Sequence, residues 1–384
     1  MATISSLGVG SGLDVNSIIT QLMAIEKKPL TNLQTAGSKI QTQISEVGKI
    51  KSAVSTLNDA AAKLASSDFW KTTTGSSSSS AVSITTSSSA SASAYSVQVS
   101  SLAKAQTIAA PAVASSTATL GAGTLTIQRA AAGSTPVDVT IDAADTLAAI
   151  RDKINAAGAG ITASILNDGT GVRLMMRANA TGTDNAFTTT VSGTGLNGLT
   201  FDAATQTGGA TLSQGAANAA ATINNLPVSS QSNTLADVLD GVTLTLNAET
   251  PTPVDLTVGA DTDTLKKKIT DFASAYSALA ALIKTDTKYD ATSKTGGVLQ
   301  GDSSVVGAQN QLRSMLASSS GASALYTRLS DIGLEVQQDG SLSVNSTKLD
   351  KALANLPEIT KLFSNSSLTD ASLDGFGKRL RTLT

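Results

Sequence analysis

Along the first part of the chain, apolar residues recur at Leu30, Leu33, Ile40, Ile44, Val47, Ile50, Val54, Leu57, Ala61 and Leu64. The gaps are mostly threes and fours, the stripe of an amphipathic helix. The repeat is closer to 3.5 than to 3.6, which predicts a mild left-handed coiled coil. Such a stripe is not stable alone in water and needs partner helices, from this chain or from other subunits. A shorter helix is predicted over 14–28. Asp14 is its N-cap, and Val15, Ile18, Ile19, Leu22, Met23 and Ile25 form its apolar face. Pro29 is expected to break or restart the helix, and the second helix then runs to about residue 67. Gly37 and Gly48 weaken it and permit bending.

At residue 72 the pattern changes. A Ser- and Thr-rich stretch begins, with Ser76 through Ser80 in a row. Its composition reads as a linker, but Val82, Ile84, Tyr95, Val97 and Val99 alternate with polar residues, which predicts paired strands and the start of a β-domain. The chain stays β-rich to about residue 260. Leu125 and Ile127 alternate, as do Val137, Val139 and Ile141. A short helix follows with Leu147, Ile150 and Ile154 on one face. The segments 161–165 and 172–176 are joined by Asp168-Gly169, a hairpin signal. A further strand pair is expected between 242–246 and 254–258.

Helical periodicity returns at 263–285, where Asp263 is the expected cap and Leu265, Ile269, Phe272, Tyr276, Leu279 and Ile283 form the apolar face. A helix over 302–317 carries Val305, Val306, Leu312 and Leu316. A hairpin of 333–336 with 342–344 turns at Asp339-Gly340. A capped helix follows with Leu349, Leu353 and Leu356, and a last helix starts near Asp374. Helices at both ends thus bracket a β-rich middle. The predicted fold is α+β and multidomain, with a helical stalk formed by both ends of the chain and one or two inserted β-rich head domains. The expected division is a flexible N-terminal leg tip over 1–40, a stalk of 41–71 with 262–384, a first head domain of 72–104 with 215–261, and a second inserted head domain of 105–214. Ile40, Ile44, Val47, Val54, Leu57 and Leu64 are expected to pack in the stalk against Leu265, Ile269, Phe272 and Tyr276.

Composition narrows the chemistry. The 384-residue chain is 41% hydrophobic but only 3% aromatic, so its cores must be thin layers of Leu, Ile, Val and Ala. It has no Cys and no His. Disulfides, thiol nucleophiles, Cys/His metal sites and imidazole catalysis are therefore excluded. A net charge of −2 gives no overall field toward nucleic acid. No apolar run is long enough to span a membrane, and no cleaved signal peptide is visible. No cofactor and no metal is expected. The pairs Asp237/Asp240 and Asp261/Asp263 are the tight carboxylate pairs in suggestive places, but they sit at turn and cap positions where Asp is favoured anyway. The run Gly8-Val9-Gly10-Ser11-Gly12 lacks a preceding strand, a Lys and the spacing of a phosphate loop, and reads as a hinge. Lys266-Lys267-Lys268 reads as a solvated helix face.

Gly8-Val9-Gly10-Ser11-Gly12-Leu13-Asp14, followed by Ile18-Ile19-Thr20-Gln21-Leu22-Met23-Ala24-Ile25-Glu26 and Pro29-Leu30, resembles the N-terminus of the flagellar filament-capping FliD family, also called hook-associated protein two. The segment 147–187, with Ile154-Asn155 and the Asp168-Gly169 turn, is similar to a motif inserted in flagellins and hook-associated proteins. The segment 233–244, then Gly301-Asp302, the region 333–349, Leu356-Pro357-Glu358 and Phe363 resemble the family's C-terminal region. The four pieces lie in family order over nearly the whole chain. The family normally closes with a long C-terminal helical segment that pairs with the N-terminal one, and the sequence stops at Thr384 where that segment should begin. A truncated chain is the expectation.

The resemblance implies a non-enzymatic structural cap and assembly chaperone at the distal end of the bacterial flagellar filament. Such a cap is a ring-like homo-oligomer that promotes folding and insertion of exported flagellin. Implied partners are further copies of itself, flagellin and the filament end, an export chaperone in the cytoplasm and, for some members, host mucin. Nucleic acid and membrane insertion are not implied. Localisation is extracellular at the filament tip, after export by the flagellar type III route. Period alone reads the face of 15–25 as internal core. The resemblance turns it into a docking surface for flagellin, made of Leu13, Val15, Ile18, Ile19, Leu22, Met23 and Ile25. The alternatives are a hook–filament junction protein and a surface adhesin binding host mucin.

Overall fold

Asp14 opens the longest element of the computed structural model, which describes residues 14–292 and 294–383. The Asp14 carboxylate accepts a hydrogen bond from the Ser17 amide at 3.0 Å, satisfying one of the donors a helix start leaves free. Among the described residues there are seven α-helices: α1 Val15–Ala65, α2 Leu147–Ala156, α3 Thr262–Thr287, α4 Ser303–Ala317, α5 Ser346–Leu353, α6 Leu356–Ser364 and α7 Phe376–Leu383. The chain divides into two compact units, residues 1–72 with 261–384, and residues 73–260.

The first unit is helical. α1 runs unbroken through Pro29 for 51 residues, so the expected break is corrected. Pro29 lacks the N–H that would bond the Ile25 carbonyl. Around it the helix is exposed, so water can satisfy that carbonyl. The lower half of α1 packs on α3. Leu57, Ala61 and Leu64 are fully buried, and they join Leu265, Ile269, Phe272 and Tyr276 in one core with Leu312 and Leu316 of α4, Leu349, Leu353, Ile359 and Phe363 of α5 and α6, and Phe376 and Leu380 of α7. Trp70 stacks on Phe363, ring centroids 5.5 Å apart, and donates to the Leu64 carbonyl at 2.9 Å. α3 is capped by Asp261, which accepts from the Thr264 amide at 2.9 Å. Asp263 lies in the first turn instead. Between α4 and α5 the strands Leu334–Val336 and Leu342–Val344 form the expected hairpin.

α1 and α3 run antiparallel. Lys63 and Asp59 lie beside Lys268 and Asp271 at one end, while Glu46 and Lys49 act on Asp286 at the other. At 1.5 Å per residue α1 is about 77 Å long and α3 about 39 Å. α3 therefore ends opposite Glu46. This corrects the expected packing of Ile40, Ile44 and Val47, which are 56%, 60% and 45% exposed. Val54 is partly buried against the core.

The second unit enters and leaves on paired strands. Thr73–Ser77 lies antiparallel to Val254–Ala260, with Thr73 opposite Ala260. Those two, with Ser93–Ser101, Ala219–Ile223 and Leu226–Ser230, make a five-stranded sheet. It faces a three-stranded sheet of Thr234–Leu239, Val242–Leu246 and Val82–Thr86 across a core that includes Val97, Leu244 and Leu256. The segments 242–246 and 254–258 are strands, but they lie in different sheets and do not pair. Pro251 and Pro253 stand between them and cannot donate to a hairpin ladder. Thr250 instead bonds the Val99 backbone and carries the chain across.

A separate core lies within residues 105–210, and α2 contributes Leu147, Ile150 and Ile154 to it. Asn155 of α2 grips the backbone of Ala163 through both amide atoms, at 2.6 and 2.9 Å. Ile161–Asn167 and Val172–Ala178 form the expected hairpin. At its turn Gly169 has φ +84, and Asp168 binds the Thr170 amide and Arg173. That arrangement holds the Asp168 carboxyl well below its ordinary value, through Thr170 first and Arg173 after it.

Candidate functional site

The stripe that makes core in the lower half of α1 continues uncovered into its upper half. Ile18, Leu22 and Ile25 stand at i, i+4 and i+7, one helix face. They are 43%, 57% and 64% exposed, and Ile19, Met23, Leu30 and Leu33 are exposed beside them. Leu13 lies outside the described residues, and the Val15 side chain is not described. Sequence periodicity therefore found both the packed and the uncovered parts of one stripe. The length of α3 decides where one becomes the other.

The uncovered stretch ends in a groove of about 490 Å³, lined by Ile40, Gln43, Ile44 and Val47 of α1 and by Leu299, Gln300, Gly301 and Asp302. Gln43 fastens the helix there, its side-chain amide donating to the Val298 carbonyl at 3.1 Å. The groove was not foreseen, because the loop before α4 carries no periodic signal. Just below it Lys49 bridges Glu46 at 2.8 Å.

The remaining candidates lie apart from this face. Asp261 caps α3, and Asp237 and Asp240 are exposed at and beside an edge strand. Lys266 pairs with Asp350 at 2.6 Å, and Lys267 and Lys268 both approach Asp271. Among the described residues no group of three or more acidic side chains is placed to hold a metal ion. No described helix is long and apolar enough to cross a membrane.

A long helix with an uncovered apolar face, rooted in a small helical unit that brackets a β-rich insertion, is an architecture with known relatives. Residues 11–106 match the family model "Flagellar hook-associated protein 2 N-terminus", and residues 216–384 match "Flagellar hook-associated protein 2 C-terminus". Flagellar hook-associated protein 2 of Escherichia coli K12 is 36% identical over 421 residues, spanning 100% of this chain and 90% of that protein. The chain belongs to the flagellar hook-associated protein 2 family.

Its Salmonella typhimurium relative is 37% identical over 372 residues, covering 92% of this chain and 78% of that one. Residues 124–180 match the "Flagellin hook IN motif", the region where Asn155 ties α2 to its strand. Among solved structures, the D1-D2-D3 domains of the E. coli flagellar cap protein FliD superpose with a TM-score of 0.70 at 34% identity, over 88% of this chain and 94% of that one. The α+β multidomain architecture with helical ends is thus that of a hook-associated protein 2. The family is a structural one, the flagellar filament cap. These matches favour neither a hook–filament junction protein nor an adhesin.

Proposed function

We propose that this hook-associated protein 2 caps the growing flagellar filament by docking the uncovered face of α1 on helical flagellin at the filament end. The observation that carries this reading is the continuity of one apolar stripe, buried at Leu57, Ala61 and Leu64 and exposed from Ile18 to Val47. A row of large apolar side chains at helical spacing is suited to another helix packed along it. The β-rich unit then supplies the plate on which copies of the chain assemble into a ring, with 72–104 and 215–261 acting as one head domain and 105–214 as a second. The two separate cores of that unit support this division.

The role is non-enzymatic: it needs packing surface, not a nucleophile, and a chain without His or Cys has neither an imidazole base nor a thiol to offer. Export as an unfolded chain, handed over by a cytoplasmic chaperone, fits the same composition, since no disulfide has to form outside. Immunogold electron microscopy on intact cells, with antibody to the β-rich unit, tests the reading. Label confined to filament tips is the expected result. Label at the filament base or spread over the envelope would overturn it.

A further inference from the structure

Where α1 leaves the body of its unit, the interface holds a carboxylate with too few partners. Asp286, in the last turn of α3, is 6% exposed, and its Oδ2 finds no hydrogen-bond donor among the described residues. Its main chain is tied to the segment 297–301, the Leu299 amide donating to the Asp286 carbonyl at 2.8 Å. That segment, Gly-Val-Leu-Gln-Gly, has no ionisable side chain, and Asp302 beyond it is occupied in capping α4. From α1 the charged neighbours are Glu46 and Lys49. The Lys49 ammonium is already bound to Glu46 at 2.8 Å. On α3 Lys284 points to the carbonyl of Asp339, and Lys288 just past its end is exposed.

Burying an ionised carboxylate without a full set of donors is costly, and Glu46 across the interface adds like charge while Lys49 only partly offsets it. Desolvation, then Glu46, raises the Asp286 carboxyl above its ordinary 3.8. The same level of the structure carries the Gln43–Val298 bond and the groove at which the exposed part of α1 begins.

We propose that Asp286 is a proton-sensitive latch at the root of the α1 arm, which closes α1 on α3 and segment 297–301 when protonated and loosens that contact when ionised. The sign follows from the direction in which the group is displaced. A carboxyl that holds its proton more tightly in the folded state favours that state below its raised value, and the advantage is lost as pH rises through the window above 3.8. The arm is therefore stiffest at its root in mild acid. At neutral pH it carries a built-in weak point between its packed and unpacked halves. This inference does not depend on what the arm docks against.

Amide hydrogen exchange on the full chain tests it, with each rate corrected for the intrinsic effect of pH. In Asp286→Asn, amides of residues 43–54 should exchange more slowly than in wild type near pH 7. The two proteins should converge near pH 4. Glu46→Gln, which removes the opposing carboxylate, should narrow the wild-type pH dependence at the same amides. Exchange in Asp286→Asn equal to or faster than wild type near pH 7, or an unchanged gap at pH 4, overturns the latch. If Asp286→Asn misfolds, corrected exchange of wild-type amides 43–54 that does not rise between pH 4 and pH 7 overturns it alone.

Discussion

Glu358 shows how single side chains set the loops of the helical unit. Its carboxylate binds Lys361 at 2.7 Å, the Ser323 hydroxyl at 2.7 Å and the Ala324 amide at 2.9 Å. These partners, Lys361 first, pull its carboxyl down to about 2. A depressed carboxyl stabilises the folded state above its ordinary value of 4.5, and the contribution is lost as pH falls toward about 2. Glu358→Gln should therefore melt below wild type near neutral pH, and the gap should vanish in a thermal series carried down toward pH 2. A different residue-scale device turns the strands Ala219–Ile223 and Leu226–Ser230. Asn224 and Asn225 both have positive φ, 50 and 66, the two central positions of a type I′ turn. Asn224 also accepts from the Ser96 amide at 2.9 Å. Asn225→Gly should be neutral or stabilising in urea unfolding, whereas Asn224→Ala, which loses both the bond and the left-handed preference, should cost about 1–3 kcal/mol. Side-chain caps such as Asp14 were readable in the sequence because a helix start needs an acceptor there. Asp263 is the expected cap of α3 and Asp261 takes that place two residues earlier, since both are acceptors that precede the apolar face.

At the scale of elements, α1 is one helix with two fates. Leu57 is fully buried and Leu22 is 57% exposed on the same stripe. Leu57→Ala should cost about 2–5 kcal/mol of stability, while Leu22→Ala should stay within about 0.5 kcal/mol, both read from urea unfolding of the helical unit. Comparable losses at the two sites would mean that the upper stripe is core after all. The apolar period was legible, and so was the identity of α3 as partner. What the period does not encode is where a partner ends. That had to come from the length of α3, whose 26 residues reach back only to Glu46. Pro29 misled because helix-breaking is a matter of context: on an exposed helix the lost hydrogen bond is made good by water. Pro29→Ala should raise protection of the amides near residue 29 in hydrogen exchange, with a local gain of up to about 3 kcal/mol.

For the whole molecule, the bracketing of a β-rich middle by helical ends was readable because period changes from 3.6 to 2 and back. Sheet membership was not, since alternation fixes which face a residue takes and leaves the neighbouring strand open. Val242–Leu246 and Val254–Ala260 illustrate this, adjacent in sequence and in different sheets. The Thr73–Ala260 pairing closes the β-rich unit on itself, so residues 73–260 expressed alone should unfold in a cooperative transition, and a broad non-cooperative melt would count against their independence. The central claim concerns the other unit: the uncovered face of α1 is what engages the filament. Its most direct test is binding of the Ile18→Asp, Leu22→Asp double variant to the ends of cap-free filaments, alongside circular dichroism of the same protein. Both positions are exposed, so the account predicts unchanged spectrum and melting with end binding and motility lost. Retained end binding, or loss of the helical unit's own thermal transition, would contradict it.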